Sequence, residues 1–276
     1  MNKTVKINSI KIDNSKQIVL IAGPCVVESR ELILKTAEKI KNICSKYNLP
    51  VIFKSSYKKA NRTSLKGFET IGIDESLKIL SEVKKELSLP ILTDVHSESE
   101  IKSASEIADI LQIPAFLCRQ TELLIAAGET GKCVNIKKGQ FLSPKDIKYA
   151  IEKVESTGNK KILCTERGSS FGYNNLVVDM RGIEIMKSTG YPVIIDVTHS
   201  VQLPGGLNGE SGGEREFIFT IARAAVAVGV AGIFVETHPN PKKAMSDAAS
   251  QLPLNELPKL IEQISKIDAL IKSEKW

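Results

Sequence analysis

From residue 18 onward the chain alternates between two hydrophobic patterns. Short, nearly unbroken apolar runs recur at 18–22 (IVLIA), 51–55 (VIFKS), 91–95 (ILTDV), 109–113 (DILQI), 134–138 (VNIKK), 161–166 (KILCTE), 192–197 (PVIIDV) and 232–236 (GIFVE). Runs this short, apolar at both odd and even positions, suit strands buried on two faces. Between and after them, apolar residues fall at helical spacing over about 29–46, 75–88, 98–106, 120–129, 144–157, 179–188, 214–228 and 256–272. Ser143-Pro144 supplies a start for the fifth helix, and Gly190 with Pro192 a stop after the sixth. Strand–helix alternation through eight units predicts an α/β protein with a parallel sheet, and a chain of this length fits a closed (β/α)8 TIM barrel. Ahead of it, Val5–Ile12 alternates like a strand and meets the turn residues Asp13-Asn14-Ser15, which predicts a short N-terminal β-hairpin. An open nucleotide-binding sheet would carry GxGxxG after its first strand, whereas this chain has Gly23-Pro24-Cys25. No Pro/Ser-rich linker interrupts the pattern, so residues 1–276 are expected to form one domain, with 1–17 as the hairpin extension.

Composition narrows the functional classes. The chain is 42% hydrophobic and 25% charged, ordinary for a globular protein, so disorder is excluded as its main state. Lys and Arg number 38 against 32 Asp and Glu, a net charge of +6 that favours anionic ligands but is not gathered in a basic tail. Aromatic residues are only 5%, thin for a base-stacking surface, and no nucleic-acid partner is expected. The longest apolar stretch, Ile221–Val235, is interrupted by Arg223 and falls short of the roughly 20 residues that span a bilayer, so no membrane partner is expected either. The opening MNKTVKINSIKID has no apolar core and no small-residue cleavage site. With five cysteines (25, 44, 118, 133 and 164) and no CxxC pair, reduced thiols and a cytoplasmic location are expected.

In a (β/α)8 barrel, the loops after the strands converge on one mouth, where the chemistry resides. The predicted strand ends carry Cys25, Lys54, Asp94, Gln112, Lys137, Arg167, His199 and Glu236, a polar or ionisable group at or near every one. Lys54, Lys59, Arg62, Arg119, Lys137 and Arg167 place up to six cations near that opening. Unpaired they would repel one another, which predicts a ligand with more than one anionic group; phosphates and carboxylates suit both Lys and Arg. Lys54 lies inside a β-run, where a lysine is costly unless paired.

Cys25, His199, Glu236 and Asp247 come from the loops after the first, seventh and eighth strands. Thiolate, imidazole and carboxylates together could hold zinc, ferrous iron or manganese, with His96 and His238 as competing ligands. The stretch PGGLNGESGG (204–213) is too poor in side chains to bury itself and is expected to be a mobile lid over the mouth.

The segments around these residues resemble the 3-deoxy-D-manno-octulosonate 8-phosphate synthases. The resemblance runs through IAGPCVVES (21–29), FKSSYKKANRTS (53–64), TDVH (93–96), LQIPAFLCRQT (111–121), VNIKKGQF (134–141), TERGSSFGYNNLVVDMR (165–181), DVTHSVQLPGG (196–206) and ETHPNPKKAMSDAASQLPL (236–254), nearly the whole chain in order. It implies a TIM barrel, usually a homotetramer, that condenses phosphoenolpyruvate with D-arabinose 5-phosphate and water for lipopolysaccharide biosynthesis. Its small-molecule partners would thus be a sugar phosphate and phosphoenolpyruvate. By the same resemblance, Lys54, Lys59, Lys137, Arg167 and His199 match the phosphoenolpyruvate site, Lys137 being preferred over its neighbour Lys138. Asn61 and Arg62 match the pentose-phosphate site, and Arg119 matches an arginine lent across a subunit contact. Asp94, Gln112 and Gln202 match other residues around the substrates, and catalytic work is implied at His199, Lys59, Asp94 and Asp247. Cys25 after Gly-Pro, where metal-independent members have asparagine, implies the metal-dependent branch, with Cys25, His199, Glu236 and Asp247 as ligands of a divalent ion.

The nearest rival is 3-deoxy-D-arabino-heptulosonate 7-phosphate synthase, with erythrose 4-phosphate as acceptor. Its second-strand motif usually reads Lys-Pro-Arg-Thr, against Lys59-Ala60-Asn61-Arg62 here. A Schiff-base aldolase using Lys137, or a silent barrel that only binds sugar phosphates, would also be compatible with cations at the strand ends.

Overall fold

A computed structural model describes residues 2–274, except 61, 63, 64, 66, 208 and 209. Eight parallel strands form the barrel: β1 (Val19–Gly23), β2 (Val51–Lys54), β3 (Ile91–Asp94), β4 (Ile110–Ile113), β5 (Cys133–Lys137), β6 (Ile162–Glu166), β7 (Val193–Asp196) and β8 (Gly232–His238). Each pairs with the next. The ring closes where β8 meets β1, with Glu236 opposite Gly23, having joined β7 through Ile194 opposite Gly232. Helices α1 (Arg30–Lys46), α2 (Ile73–Leu87), α3 (Glu98–Ile107), α4 (Thr121–Glu129), α5 (Ile147–Glu155), α6 (Met180–Lys187), α7 (Ile218–Ala227) and α8 (Leu257–Ser273) follow the strands in turn.

The two sides of each strand feed two separate cores, which is why the runs are apolar at every position. Val19, Ile21, Ile52, Leu92, Ile110, Cys133, Leu163 and Ile194 meet inside the barrel. Leu20, Phe53, Leu111, Val134 and Ile195 face outward and bury the inner stripes of the helices, such as Ile33, Ala37 and Ile40 of α1. Ser29 starts α1 by accepting a hydrogen bond from Leu32 N at 3.3 Å.

The N-terminal hairpin is present, but it turns earlier than the sequence suggests. Val5–Ile7 pairs antiparallel with Ile10–Ile12, and the reversal falls at Asn8, whose φ of 51° a short amide side chain tolerates. Asp13 instead shapes the exit, its carboxylate accepting from Ser15 N at 2.8 Å. Asn14 then fastens the hairpin to β7, donating to Tyr191 O at 3.0 Å and accepting from Val193 N at 2.9 Å. Val5, Ile7 and Ile12 join the inner core beside the first residues of the strands, so the hairpin stoppers the N-terminal end of the barrel.

The last helix is tied to the same end. Buried Asp268 of α8 accepts from Ile18 N at 2.9 Å and pairs with Lys272 at 2.6 Å. Asp268→Ala strands a buried N–H and should cost about 2 kcal/mol. Urea unfolding followed by circular dichroism checks this, and an unchanged midpoint contradicts it. No described helix is long and apolar enough to cross a membrane.

Candidate active site

The first strand reaches the mouth through a backbone contact that only glycine permits. A Cβ on Gly23 would lie 1.9 Å from Lys54 O, so β1 closes on the end of β2 at this point. Pro24 and Cys25 follow directly, and Lys54 Nζ donates to Cys25 O at 2.9 Å. Above them opens a cavity of about 680 Å³ at the C-terminal ends of the strands.

Of the residues singled out from sequence, Lys54, Lys59, Arg62, Asp94, Lys137, Arg167, His199, Gln202, Glu236 and Asp247 line this cavity. Cys25 and Gln112 do not; both are fully buried beneath its wall. Gln112 donates to Asp94 Oδ1 at 2.7 Å and accepts from Asn135 at 2.8 Å, a chain that orients Asp94 from below. Arg119 is exposed and stays off its own chain's cavity wall. Asn61 lies outside the described residues.

The cations at the mouth are not left to repel one another, because Lys54, Lys59, Arg62, Lys137 and Arg167 each find an acceptor, Arg62 in Glu69 at 2.9 Å. Lys54 Nζ, 2% exposed, donates to Glu236 Oε1 at 2.6 Å and lies 3.8 Å from Asp94 Oδ2. Burial alone would lower its pKa, but Glu236 and Asp94 outweigh burial and hold the ammonium charged. Lys59 Nζ sits 3.0 Å from both Cys25 Sγ and Asp247 Oδ2, and its pKa is likewise raised against burial by Asp247 and the thiol. Arg167 donates to Gln140 Oε1 at 2.6 Å and to Gln202 Oε1 at 2.9 Å. Burial lowers its pKa, opposed by Asp196 and Asp247. Gln202 in turn donates to Asp247 Oδ1 at 3.0 Å, so Arg167, Gln202 and Asp247 form one connected row.

The carboxylate that sequence reasoning passed over is Asp196. It ends β7 and is fully buried. Its Oδ2 accepts from Lys137 Nζ at 2.6 Å and from His199 Nδ1 at 2.7 Å. Despite burial, the adjoining His199 and Lys137 hold its pKa far below the usual carboxylate range. The only signal was position: Asp196, not His199, is the last strand residue in DVTH.

Lys137 and Lys138 part company for a simple reason. Cys133 faces the barrel interior and Val134 the helices, so alternation puts Lys137 inside and Lys138 outside. Lys137 Nζ lies 4.1 Å from the centre of the Phe234 ring. Buried Lys138 instead donates to Gly139 O and Leu142 O at 3.2 Å and to Gly168 O at 3.3 Å, joining the loops after β5 and β6.

The glycine-rich stretch, apart from 208 and 209, which lie outside the described residues, is paired rather than irregular. It is a β-ribbon, Gln202–Leu207 against Glu210–Gly213, with a register shift between Leu203 and Leu207. Its base is fixed by close contact, since a Cβ on Gly213 would lie 2.9 Å from Ser250 Cβ. Arg215 next to it donates to Ala248 O and, at 3.0 Å, to Ala249 O. The ribbon therefore grips the loop that carries Asp247, and its Pro204 and Gly205 form part of the cavity wall.

Cys25, Glu236 and Asp247 place one ligand atom each within 4.8 Å of one another. His199 flanks them, its Nε2 lying 3.8 Å from Glu236 Oε1 and 3.9 Å from Asp247 Oδ2. Because Nδ1 is engaged by Asp196, Nε2 is the ring nitrogen turned toward the cluster. Glu236 Oε2 is buried and has no hydrogen-bond partner among the described residues. Burial, then Asp247 and Glu236, push the Cys25 thiol well up, so it holds its proton until a stronger cation takes that place. An orphaned carboxylate oxygen, a thiol, an imidazole nitrogen and a second carboxylate suit a borderline divalent ion. The competing histidines stand apart: His96 lies 3.3 Å from Glu100, and His238 Nδ1 accepts from Asn240 N at 2.9 Å.

Comparison with known proteins agrees with this geometry. The family model described as the DAHP synthetase I family matches residues 2–273. Proteins named 2-dehydro-3-deoxyphosphooctonate aldolase match over the full length: that of Trichlorobacter lovleyi is 53% identical over 272 residues, covering 99% of this chain and 100% of the relative. The Geotalea daltonii protein of that name is 51% identical and the Geobacter sulfurreducens one 49%, each again covering 99% of this chain and 100% of the relative. With ten of the anticipated residues around one barrel mouth, and matches of this extent, the chain belongs to the DAHP synthetase I family and groups within it with the 2-dehydro-3-deoxyphosphooctonate aldolases.

Proposed function

We propose that the chain condenses phosphoenolpyruvate with D-arabinose 5-phosphate and water, releasing 3-deoxy-D-manno-octulosonate 8-phosphate and inorganic phosphate, a step of lipopolysaccharide biosynthesis. The observation that carries this is a single cavity with cations at two depths. Lys137 and Arg167 are nearly buried at the barrel mouth, while half-buried Arg62 stands on the loop above. Two anionic substrates need such an arrangement, and holding both in one site makes their encounter effectively unimolecular. The names of the full-length relatives favour the pentose acceptor over erythrose 4-phosphate.

In this reading Lys54, Lys59, Lys137, Arg167 and His199 surround phosphoenolpyruvate. Arg62 Nε, buried and without a hydrogen-bond partner among the described residues, is available to the pentose phosphate together with Asn61. C3 of phosphoenolpyruvate bonds to the aldehyde carbon, and the aldehyde oxygen takes up a proton, for which the Lys59 ammonium is the donor. Water adds at C2 and gives a proton to a neighbouring carboxylate. Asp94, Asp247 and Glu236 screen the positive charge that builds at C2, and loss of phosphate then leaves the ketone. A divalent ion (zinc, ferrous iron or manganese) held by Cys25, His199, Glu236 and Asp247 would supply Lewis-acid polarisation and orientation of an oxygen ligand. Gln112 contributes by fixing Asp94, and Gln202 by linking Arg167 to Asp247.

Exposed Phe116, Phe141, Phe171 and Tyr173 support a homotetramer in which Arg119 serves a neighbouring mouth. The five buried free thiols support a cytoplasmic location. Phosphate release tests the reaction: kcat/KM with arabinose 5-phosphate should exceed that with erythrose 4-phosphate by about tenfold or more. The reverse preference selects the heptulosonate reaction, and no release with either aldose overturns both.

A further inference from the structure

Three segments each bring one member of the Cys25, Glu236 and Asp247 trio: the loop after β1, the end of β8, and the loop 239–251. One buried side chain touches all three segments and has no part in the proposed reaction. Glu28, 8% exposed, stands three residues beyond Cys25. Its Oε1 accepts from Met245 N at 3.0 Å, two residues before Asp247. Its Oε2 lies 3.5 Å from His238 Nε2, two residues beyond Glu236.

The orientation of His238 follows from its other nitrogen. Nδ1 accepts from Asn240 N at 2.9 Å, so the ring proton sits on Nε2, the atom that faces Glu28. Further along, Asp247 adopts a left-handed backbone with φ of 49°. Asp, like Asn, tolerates that conformation, and the contacts around the loop hold it in place. Arg215 fixes the far side of the loop through Ala248 O and Ala249 O, and Gln251 Nε2 donates to Ser246 O at 2.8 Å. Glu28 is a fixing contact on the near side and also faces the end of β8, while Gln251, which accepts from Cys25 N at 3.3 Å, ties the loop after β1 to the Asp247 loop.

We propose that Glu28 is a positioning residue that sets the mutual distances of Cys25, Glu236 and Asp247 and thereby the affinity of that cluster for a divalent ion. The inference rests on the metal site of the proposed reaction. Glu28 touches neither substrate nor ion. A carboxylate suits the role because one oxygen accepts from the Asp247 loop while the other holds its negative charge 3.5 Å from His238 Nε2, a buried nitrogen with no hydrogen-bond partner among the described residues. An amide keeps one acceptor but turns a donor toward the His238 N–H, and alanine removes both contacts.

The test is titration of metal-stripped protein with cobalt(II), followed by the thiolate-to-cobalt absorption, on the full-length wild type, Glu28→Ala, Glu28→Gln and Cys25→Ala. Loss of an outer contact of this kind costs about tenfold or more in metal affinity. Glu28→Ala should bind cobalt about tenfold more weakly, and isosteric Glu28→Gln should fall between it and the wild type. Thermal melts of the metal-free proteins report any general loss of stability. Should Glu28→Ala fail to fold, Glu28→Gln carries the test alone. Variants that fold and bind cobalt as tightly as the wild type overturn the positioning role while leaving the metal site standing. Wild type without the absorption, or absorption that persists in Cys25→Ala, overturns the metal site and the positioning role with it.

Discussion

Stripping the enzyme of divalent metal should lower turnover by about a hundredfold or more, and adding back zinc, ferrous iron or manganese should restore it. A bound Lewis acid is worth several kcal/mol of transition-state stabilisation, and each 1.36 kcal/mol is tenfold in rate. The cluster itself points the same way: Glu236 Oε2 has no hydrogen-bond partner among the described residues, and the Cys25 thiol is crowded by Asp247 and Glu236. Cys25→Asn exchanges a soft anionic ligand for a neutral amide and should retain less metal. Phosphate release before and after chelation, with metal content measured in parallel, decides the matter. Full activity in exhaustively stripped protein removes the ion from the reaction, and unchanged metal content in Cys25→Asn removes the cysteine from the ligand set.

Lys54→Met should destabilise the fold by about 3–5 kcal/mol, because removing one partner leaves the other charge buried and uncompensated. Glu236, whose side chain is 1% exposed, loses its 2.6 Å contact, and Asp94 loses its neighbour at 3.8 Å. For a domain of this size the melting temperature should fall by on the order of 10 °C. Removing the negative partner too, as Lys54→Met with Glu236→Leu, should recover much of that loss, since an apolar pair of similar volume replaces a buried ion pair at little net cost. Neither variant should turn over substrate. Calorimetry settles it: a single variant that melts with the wild type shows that the ion pair contributes nothing to the fold.

Much of this architecture is legible in the chain because each barrel strand is buried twice. Val19 and Leu20 face different cores, yet both must be apolar, so the strand stands out as a run and the intervening stripe as a helix. The mouth residues are legible for a related reason, since Lys54, Asp94 and Lys137 end their strands where polar side chains would otherwise be costly. What escapes a linear reading is depth. Gln112 and Cys25 sit at the same ends but beneath the wall, and only three dimensions distinguish a wall from its support. Asp196 and Glu28 escape because their partners are set by packing rather than by spacing. The ribbon at Gln202–Gly213 escapes because its glycines suggest looseness, while Gly213 is there to let Ser250 approach.

The hairpin that stoppers the barrel has a kinetic consequence. With Val5, Ile7 and Ile12 filling one end, both reagents and both products must travel through the same doorway. On the proposed reading, the molecule that lodges against Lys137 and Arg167 should enter before its companion at Arg62, which stands nearer the opening. Traffic of that kind imposes a queue, and steady-state kinetics with both substrates varied should show an ordered entry.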